Sequence, residues 1–306
     1  MARQRTATAT SRFGSGKRES HDSTAFYERF APPVLSPDET VTEPALLDVV
    51  IHGDARTMGD DQVADRSVAL VVTSPPYYAG KEYETDLASG LVPASYVEYL
   101  EMLHDVLSIC LRKLEPGGRM AINVANLGRK PYRSLSADVI TMLQDDLGML
   151  MRGEVIWVKA RGAGGSCAWG SYRSPQNPVL RDVSERVIIA SKGRFDRALS
   201  RAKRESEGRP HEATISTEEF LEATLDVWEI PSESARRVGH PAPFPVALPQ
   251  RLIELYTYRG DLVLDPFIGS GSTGVAALRA GRHYVGFDTD EGYVALARAR
   301  IAGEPA

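Results

Sequence analysis

The chain has 306 residues, 42% hydrophobic and 25% charged, with 36 Lys+Arg against 41 Asp+Glu for a net charge of −5. This is ordinary globular composition, long enough for one large α/β domain or one domain with an insertion. No apolar run approaches the ~18 residues of a membrane span, the N-terminus lacks the apolar stretch of a secretory signal, and two cysteines, Cys110 and Cys167, argue against a disulfide framework or a four-cysteine metal site and for a reducing cytoplasm.

Residues 1–42 are rich in Ser, Thr, Arg and Pro without sustained periodicity and are expected to form a flexible arm. Strand patterns follow at 48–52 and 68–73. The second, Val68 to Val72, runs into Thr73-Ser74-Pro75-Pro76-Tyr77. Two consecutive prolines lack N–H donors and fix φ at about −65°. The carbonyls of Ser74 and Pro75 are then left to accept hydrogen bonds from a ligand, and Tyr77 offers a flat face for stacking. That suits a planar heterocycle held by its exocyclic amino group. The bland alternative is a Pro-Pro turn with Tyr77 as ordinary packing.

From Pro93 a helix is expected, with Val97, Leu100, Leu103, Leu107, Cys110, Leu111 and Leu114 at helical spacing. Glu115-Pro116-Gly117-Gly118 should stop it. Cys110 lies inside that apolar face, which predicts core packing. A strand over Arg119–Val124, a helix over about 135–150 and a strand at 154–159 come next. The alternation predicts a Rossmann-like α/β fold, a mostly parallel sheet with helices on both faces.

The stretch from 161 to about 230 breaks that rhythm, with one strand pattern at Arg186–Ala190. Between 161 and 209 there are 11 Lys/Arg against 5 Asp/Glu, a local charge of +6 in a chain of −5. A basic, glycine-rich segment in an acidic protein concentrates attraction for phosphate. Its candidates are Arg161, Arg173, Arg181, Lys192, Arg194, Arg197, Arg201, Lys203 and Arg204; a solvated charged helix over 194–207 is the alternative.

Near the C-terminus, Val263-Leu264-Asp265-Pro266-Phe267-Ile268-Gly269-Ser270-Gly271-Ser272-Thr273-Gly274 reads as strand, glycine loop and helix. Glycines allow close backbone approach, and a helix N-terminus presents unpaired N–H groups. The next strand, His283–Phe287, ends in Asp288, about 20 residues after the first glycine, the spacing of a ribose-hydroxyl acceptor. Asp265 at the strand end would repel a pyrophosphate but suits a cationic amino or sulfonium group.

Together these two motifs resemble the amino-methylating DNA methyltransferases, over about residues 46–302. The order, catalytic motif first and glycine loop last, looks like their circularly permuted beta class. The resemblance implies S-adenosylmethionine as cofactor, double-stranded DNA as partner and a prokaryotic cytoplasmic setting. It implies Ser74, Pro75, Pro76 and Tyr77 as the catalytic motif. It further implies a cofactor site of Asp54 (in Gly53-Asp54), Asp265, Phe267, Gly269, Ser270, Gly271, Thr273 and Asp288. His240 and Phe244, from the His-Pro/Phe-Pro stretch, would lie near the methionine part. The expected organisation is an arm (1–42), a catalytic half (43–160), a target-recognition segment (161–235) and a cofactor half (236–306). Ser-Pro-Pro-Tyr is commoner in N4-cytosine enzymes of this family, so cytosine N4 is favoured over adenine N6. An inactive DNA-binding homologue and a nicotinamide oxidoreductase are the remoter readings. A cognate restriction endonuclease is an expected companion, and monomer and homodimer stay open.

Overall fold

The apolar runs of the sequence become the middle of one sheet. In the computed structural model, which describes residues 34–76, 95–126, 132–159, 170–180, 182–233 and 244–304, the strands are β1 (Val49–His52), β2 (Val68–Thr73), β3 (Leu114–Val124), β4 (Leu150–Val158), β5 (Ser184–Ser191), β6 (Val227–Glu229), β7 (Leu262–Asp265) and β8 (His283–Asp288). They are ordered β1-β8-β7-β2-β3-β5-β4-β6. Neighbours are parallel except where β5 runs against β3 and β4. All six residues of β2 are buried. Leu70 and Val72 belong to one apolar cluster, Val68 and Val71 to another. A strand covered on both faces reads as a continuous apolar run rather than an alternating one.

Each cluster is closed by helices. On one face lie α1 (Tyr96–Lys113) and α2 (Leu135–Thr141); on the other, α5 (Ala247–Tyr256), α6 (Ser272–Arg279) and α7 (Glu291–Ala302). Between these groups in sequence come the short helices α3 (Arg201–Ser206) and α4 (Thr217–Ala223). Helix α1 starts where the Ser95 side chain accepts from the Glu98 amide, and it ends with Arg112 and Lys113, a charge order that favours both termini. It buries Tyr99, Leu103, Val106, Leu107 and Cys110, as its spacing requires, while Val97 is 63% exposed and falls outside the predicted face.

One expected boundary needs revision. Glu115-Pro116-Gly117-Gly118 ends α1 but sits inside β3, as an irregularity between the pairs Val68–Leu114 and Leu70–Arg119. Gly117 carries it at φ +78°, and the space a Cβ would take is already filled by the backbone of Asp196 and Arg197. Most of the expected arm lies outside the described residues; of its end, the Ser36 amide donates to the Gly193 carbonyl (2.7 Å) and the Thr42 amide to that of Arg66 (3.0 Å). Within 161–235, β5 lies between β3 and β4 and β6 extends the sheet beyond β4. The described elements belong to the compact unit Leu35–Ala306. Among the described residues no helix is long and apolar enough to cross a membrane.

Candidate active site

Strands β1, β8, β7, β2 and β3 run the same way, so their C-terminal ends share one edge, where open α/β sheets bind ligands. Register places His52 beside Asp288, Asp265 beside Gly286 and Thr73 beside Ile122. Strand β5 runs oppositely, which returns its N-terminal end, with Glu185, to the same edge.

Asp265 is the centre of this edge. It is 1% exposed. One carboxylate oxygen accepts from the Thr73 hydroxyl (2.7 Å) and the Phe267 amide (3.1 Å); the other accepts from the Thr273 hydroxyl (2.6 Å). The carboxylate thereby joins the end of β2, where Ser74 follows, to the first turn of α6. Three internal donors thus converge on this one carboxylate. Burial pushes its carboxyl up to about 6, against the pull of the two hydroxyls. A carboxyl raised above its unfolded value of 3.8 binds its proton more tightly when folded, so its contribution to stability is fully present below pH 3.8 and is lost as pH rises towards 6. Asp265→Asn carries no such charge. Between about pH 4 and 7 wild type is expected to lose about 2 kcal/mol relative to Asp265→Asn in urea unfolding. A constant difference across that range would refute the buried charge.

The glycine loop is pinned from the neighbouring strand. Asp288 accepts from the Gly269 amide (2.9 Å) and the Asp290 amide (2.9 Å), and burial raises its carboxyl. Gly269 and Gly271 hold φ of +49° and +84°, a region costly for other residues. Gly286 lies under the loop: a Cβ there would meet the Cβ of Ile268 at 2.9 Å. Ser270 is buried and faces Arg300, whose guanidinium also reaches Ser272 (3.1 Å) and Glu233 (3.2 Å). The Ser272 hydroxyl donates to the Phe244 carbonyl (2.9 Å), which brings the chain before α5 onto the start of α6. Phe267 is partly buried against the α1-side cluster. At the end of β1, Gly53 donates to the Asp288 carbonyl (2.9 Å), and Asp54 caps the 3-10 turn Ala55–Thr57 while pairing with Arg56 (2.6 Å).

At the end of β2, Pro75 is buried and Pro76 exposed. The Ser74 hydroxyl receives the Asn123 side-chain N–H at 3.3 Å from the end of β3. Tyr77, His240, Arg161 and Arg181 lie outside the described residues.

In the basic run, Arg197 pairs with Glu115 and with Asp261 (3.0 Å), and Arg204 with Asp261 (2.6 Å); their side chains are 10% and 6% exposed. Lys192 donates to the carbonyls of Arg112 (3.0 Å) and Leu114 (2.6 Å), and burial lowers its ammonium to about 8. Arg194 and Lys203 engage Glu39. These five residues brace the β3 irregularity, the segment 38–39 and the turn before β7. Arg173 and Arg201 are exposed. Asn123, Lys159, Glu185 and Arg300 were given no site role from sequence, and Thr73 only as the residue that opens the Ser74 motif. The usable signal was a polar residue at a strand end, Asn123 closing β3 and Glu185 opening an apolar strand.

Over residues 68–299 the chain matches the profile of the N6/N4 methyltransferase family of DNA methylases. The Type II methyltransferase M.BglI of Bacillus subtilis is 28% identical over 302 residues, covering 82% of this chain and 84% of that protein. A Thermus thermophilus protein described as a DNA modification methylase, crystallised with S-adenosyl-L-methionine, is 28% identical, with a TM-score of 0.60 over 83% of this chain and 93% of its own. The cytosine-N4-specific PvuII DNA methyltransferase superposes with a TM-score of 0.61 at 20% identity, over 85% of this chain and 89% of its own, a likeness of fold.

Proposed function

The chain belongs to the N6/N4 DNA methylase family, whose profile spans most of it, and from that premise we propose that it transfers a methyl group from S-adenosylmethionine to the exocyclic N4 of a flipped cytosine in duplex DNA. The observation that carries this reading is the Asp265 bridge. It fastens the Ser74-Pro75 acceptor pair beside a glycine loop, so an amine held by one faces a cofactor held by the other.

The residues present fit that cofactor. Asp288 and Asp54 close neighbouring strand ends and bring carboxylates, which suit hydroxyl and amino groups and repel a pyrophosphate. Gly269 and Gly271 bare the backbone before α6. Asp288 would hold the ribose, Asp54 the adenine, and the chain around Phe244 the methionine part, with His240 beside it. When bound, S-adenosylmethionine supplies an electrophilic methyl group.

The protein's own task is to make a poor nucleophile attack. An exocyclic amine on cytosine or adenine delocalises its lone pair into the ring. The Ser74 oxygen and the Pro75 carbonyl accept its two hydrogens and favour a pyramidal nitrogen. Tyr77 stacks on the ring. An amine so held would take the methyl group that S-adenosylmethionine supplies, the carbon–sulfur bond breaking as the nitrogen–carbon bond forms, and would release one proton to solvent; positioning lowers the barrier. No cysteine nucleophile is needed: Cys110 is buried in α1 and burial raises its thiol. A base paired in duplex DNA cannot reach such a pocket, so flipping is part of the proposal. Motif order supports placing the chain in the permuted group, and Type II relatives support a restriction endonuclease as companion.

N6-adenine is the second reading, because both acceptors suit either amine. Incubation with unmethylated DNA and S-adenosylmethionine, digestion to nucleosides and mass spectrometry decides. N4-methylcytosine is expected. N6-methyladenine would leave the site and mechanism and overturn the base assignment; neither product would overturn both.

A further inference from the structure

Behind Ser74 lies a chain of polar side chains across three more strand ends. Asn123 is 3% exposed and Glu185 6%. The Asn123 NH2 group donates to the Glu185 carboxylate at 2.5 Å and to the Ser74 hydroxyl oxygen at 3.3 Å. The other Glu185 oxygen accepts from the Lys159 ammonium at 2.7 Å. Lys159 also sits 6.0 Å from the ring centroid of Trp157, the residue that pairs with Glu185 across β4 and β5.

Two features set this chain apart from packing. A carboxylate at this depth is expensive even when paired, and apolar side chains in place of a buried ion pair are commonly neutral or stabilising. In addition, the Asn123 side-chain oxygen is buried without a partner. Orphaned buried acceptors are rare in folded proteins. The amide is thus held by its NH2 end alone, and the acceptor-only carboxylate dictates which end that is. Reversing the amide would set oxygen against carboxylate and withdraw the donor from Ser74.

We propose that Glu185 and Asn123 are positioning residues for the methyl-accepting amine: Glu185 fixes the Asn123 amide, and Asn123 fixes the Ser74 oxygen where it accepts the amine hydrogen. This deepens, and rests on, the amine-methylating reading. Lys159 neutralises Glu185 and holds its second oxygen. The orientation of Ser74 matters only once an amine is bound, so the effect belongs to turnover and not to binding.

The test is a double-mutant cycle on the full chain, read as turnover on the base that wild type methylates. Glu185→Gln presents an amide that tolerates either orientation of Asn123, and kcat is expected to fall about tenfold; Asn123→Ala is expected to fall about thirtyfold. KM for DNA and for S-adenosylmethionine stays within about twofold of wild type in both. Because Glu185 acts through Asn123, the double variant is no slower than Asn123→Ala. Multiplicative losses, or losses carried by KM or tracking a fall in thermal midpoint, would overturn the proposal and leave the methylation reading intact. A wild-type protein that methylates neither base overturns both.

Discussion

Asp265→Ala is expected to destabilise the protein by about 4 kcal/mol and to abolish cofactor binding. Three donors, the Thr73 and Thr273 hydroxyls and the Phe267 amide, converge on this carboxylate in a site 1% exposed. Removing it leaves them buried and unpaired, at about 1–3 kcal/mol each before any relaxation. That loss is a large share of a typical stability of about 5–15 kcal/mol. The functional effect exceeds the thermodynamic one, because the carboxylate is the tie between the end of β2 and the start of α6. Urea unfolding and isothermal titration with S-adenosylmethionine measure the two effects separately. A variant within about 1 kcal/mol of wild type that binds the cofactor normally would remove the bridge from the account.

The second large effect separates base from cofactor. Tyr77→Ala is expected to lower turnover by about 10- to 100-fold, the worth of one base–aromatic stack, with cofactor affinity unchanged. Asp288→Ala should do the reverse. It removes the proposed ribose acceptor and frees the Gly269 amide that Asp288 holds at 2.9 Å, so S-adenosylmethionine affinity is expected to weaken about tenfold or more. Single-turnover rates at saturating cofactor, beside equilibrium binding, tell the two apart. Near-normal turnover in Tyr77→Ala refutes the stacking role. Unchanged affinity in Asp288→Ala moves the ribose contact to Asp290.

Local sequence carried the sheet well and the polar interior poorly. The strands β2 and β7 are legible because full burial demands unbroken apolar runs, and α1 because burial of one face demands the 3.6-residue period. Short elements were missed: β6 has three residues and α4 seven, too few for a period to register. Which charges between Lys192 and Arg204 are paired inside the protein was not legible, for a physical reason. Composition counts charges but not their partners, and here the partners, Glu39, Glu115 and Asp261, come from distant parts of the chain. The same holds for the Glu185–Asn123–Ser74 chain, whose members come from three strands or their ends. Only the pairing of β2 with β3 and of β3 with β5 makes them neighbours. The glycine loop before α6 was legible, because Gly269 and Gly271 sit at positive φ, a demand of the backbone itself.

Thr73 and Asp265 are hydrogen-bonded yet 192 positions apart. On a ribosome adding about 5–20 residues per second, about 10–40 seconds separate the emergence of β2 from that of its sheet neighbour β7. Through that interval the most apolar strand of the protein waits with one edge unpaired, the arrangement that invites aggregation and chaperone attention. Contacts of such separation also fold slowly. The cofactor side of the site is not present in a nascent chain until its last fifth is made, so a message cut short there yields no half-working enzyme, only β2 with an open edge and β1 without its partner β8.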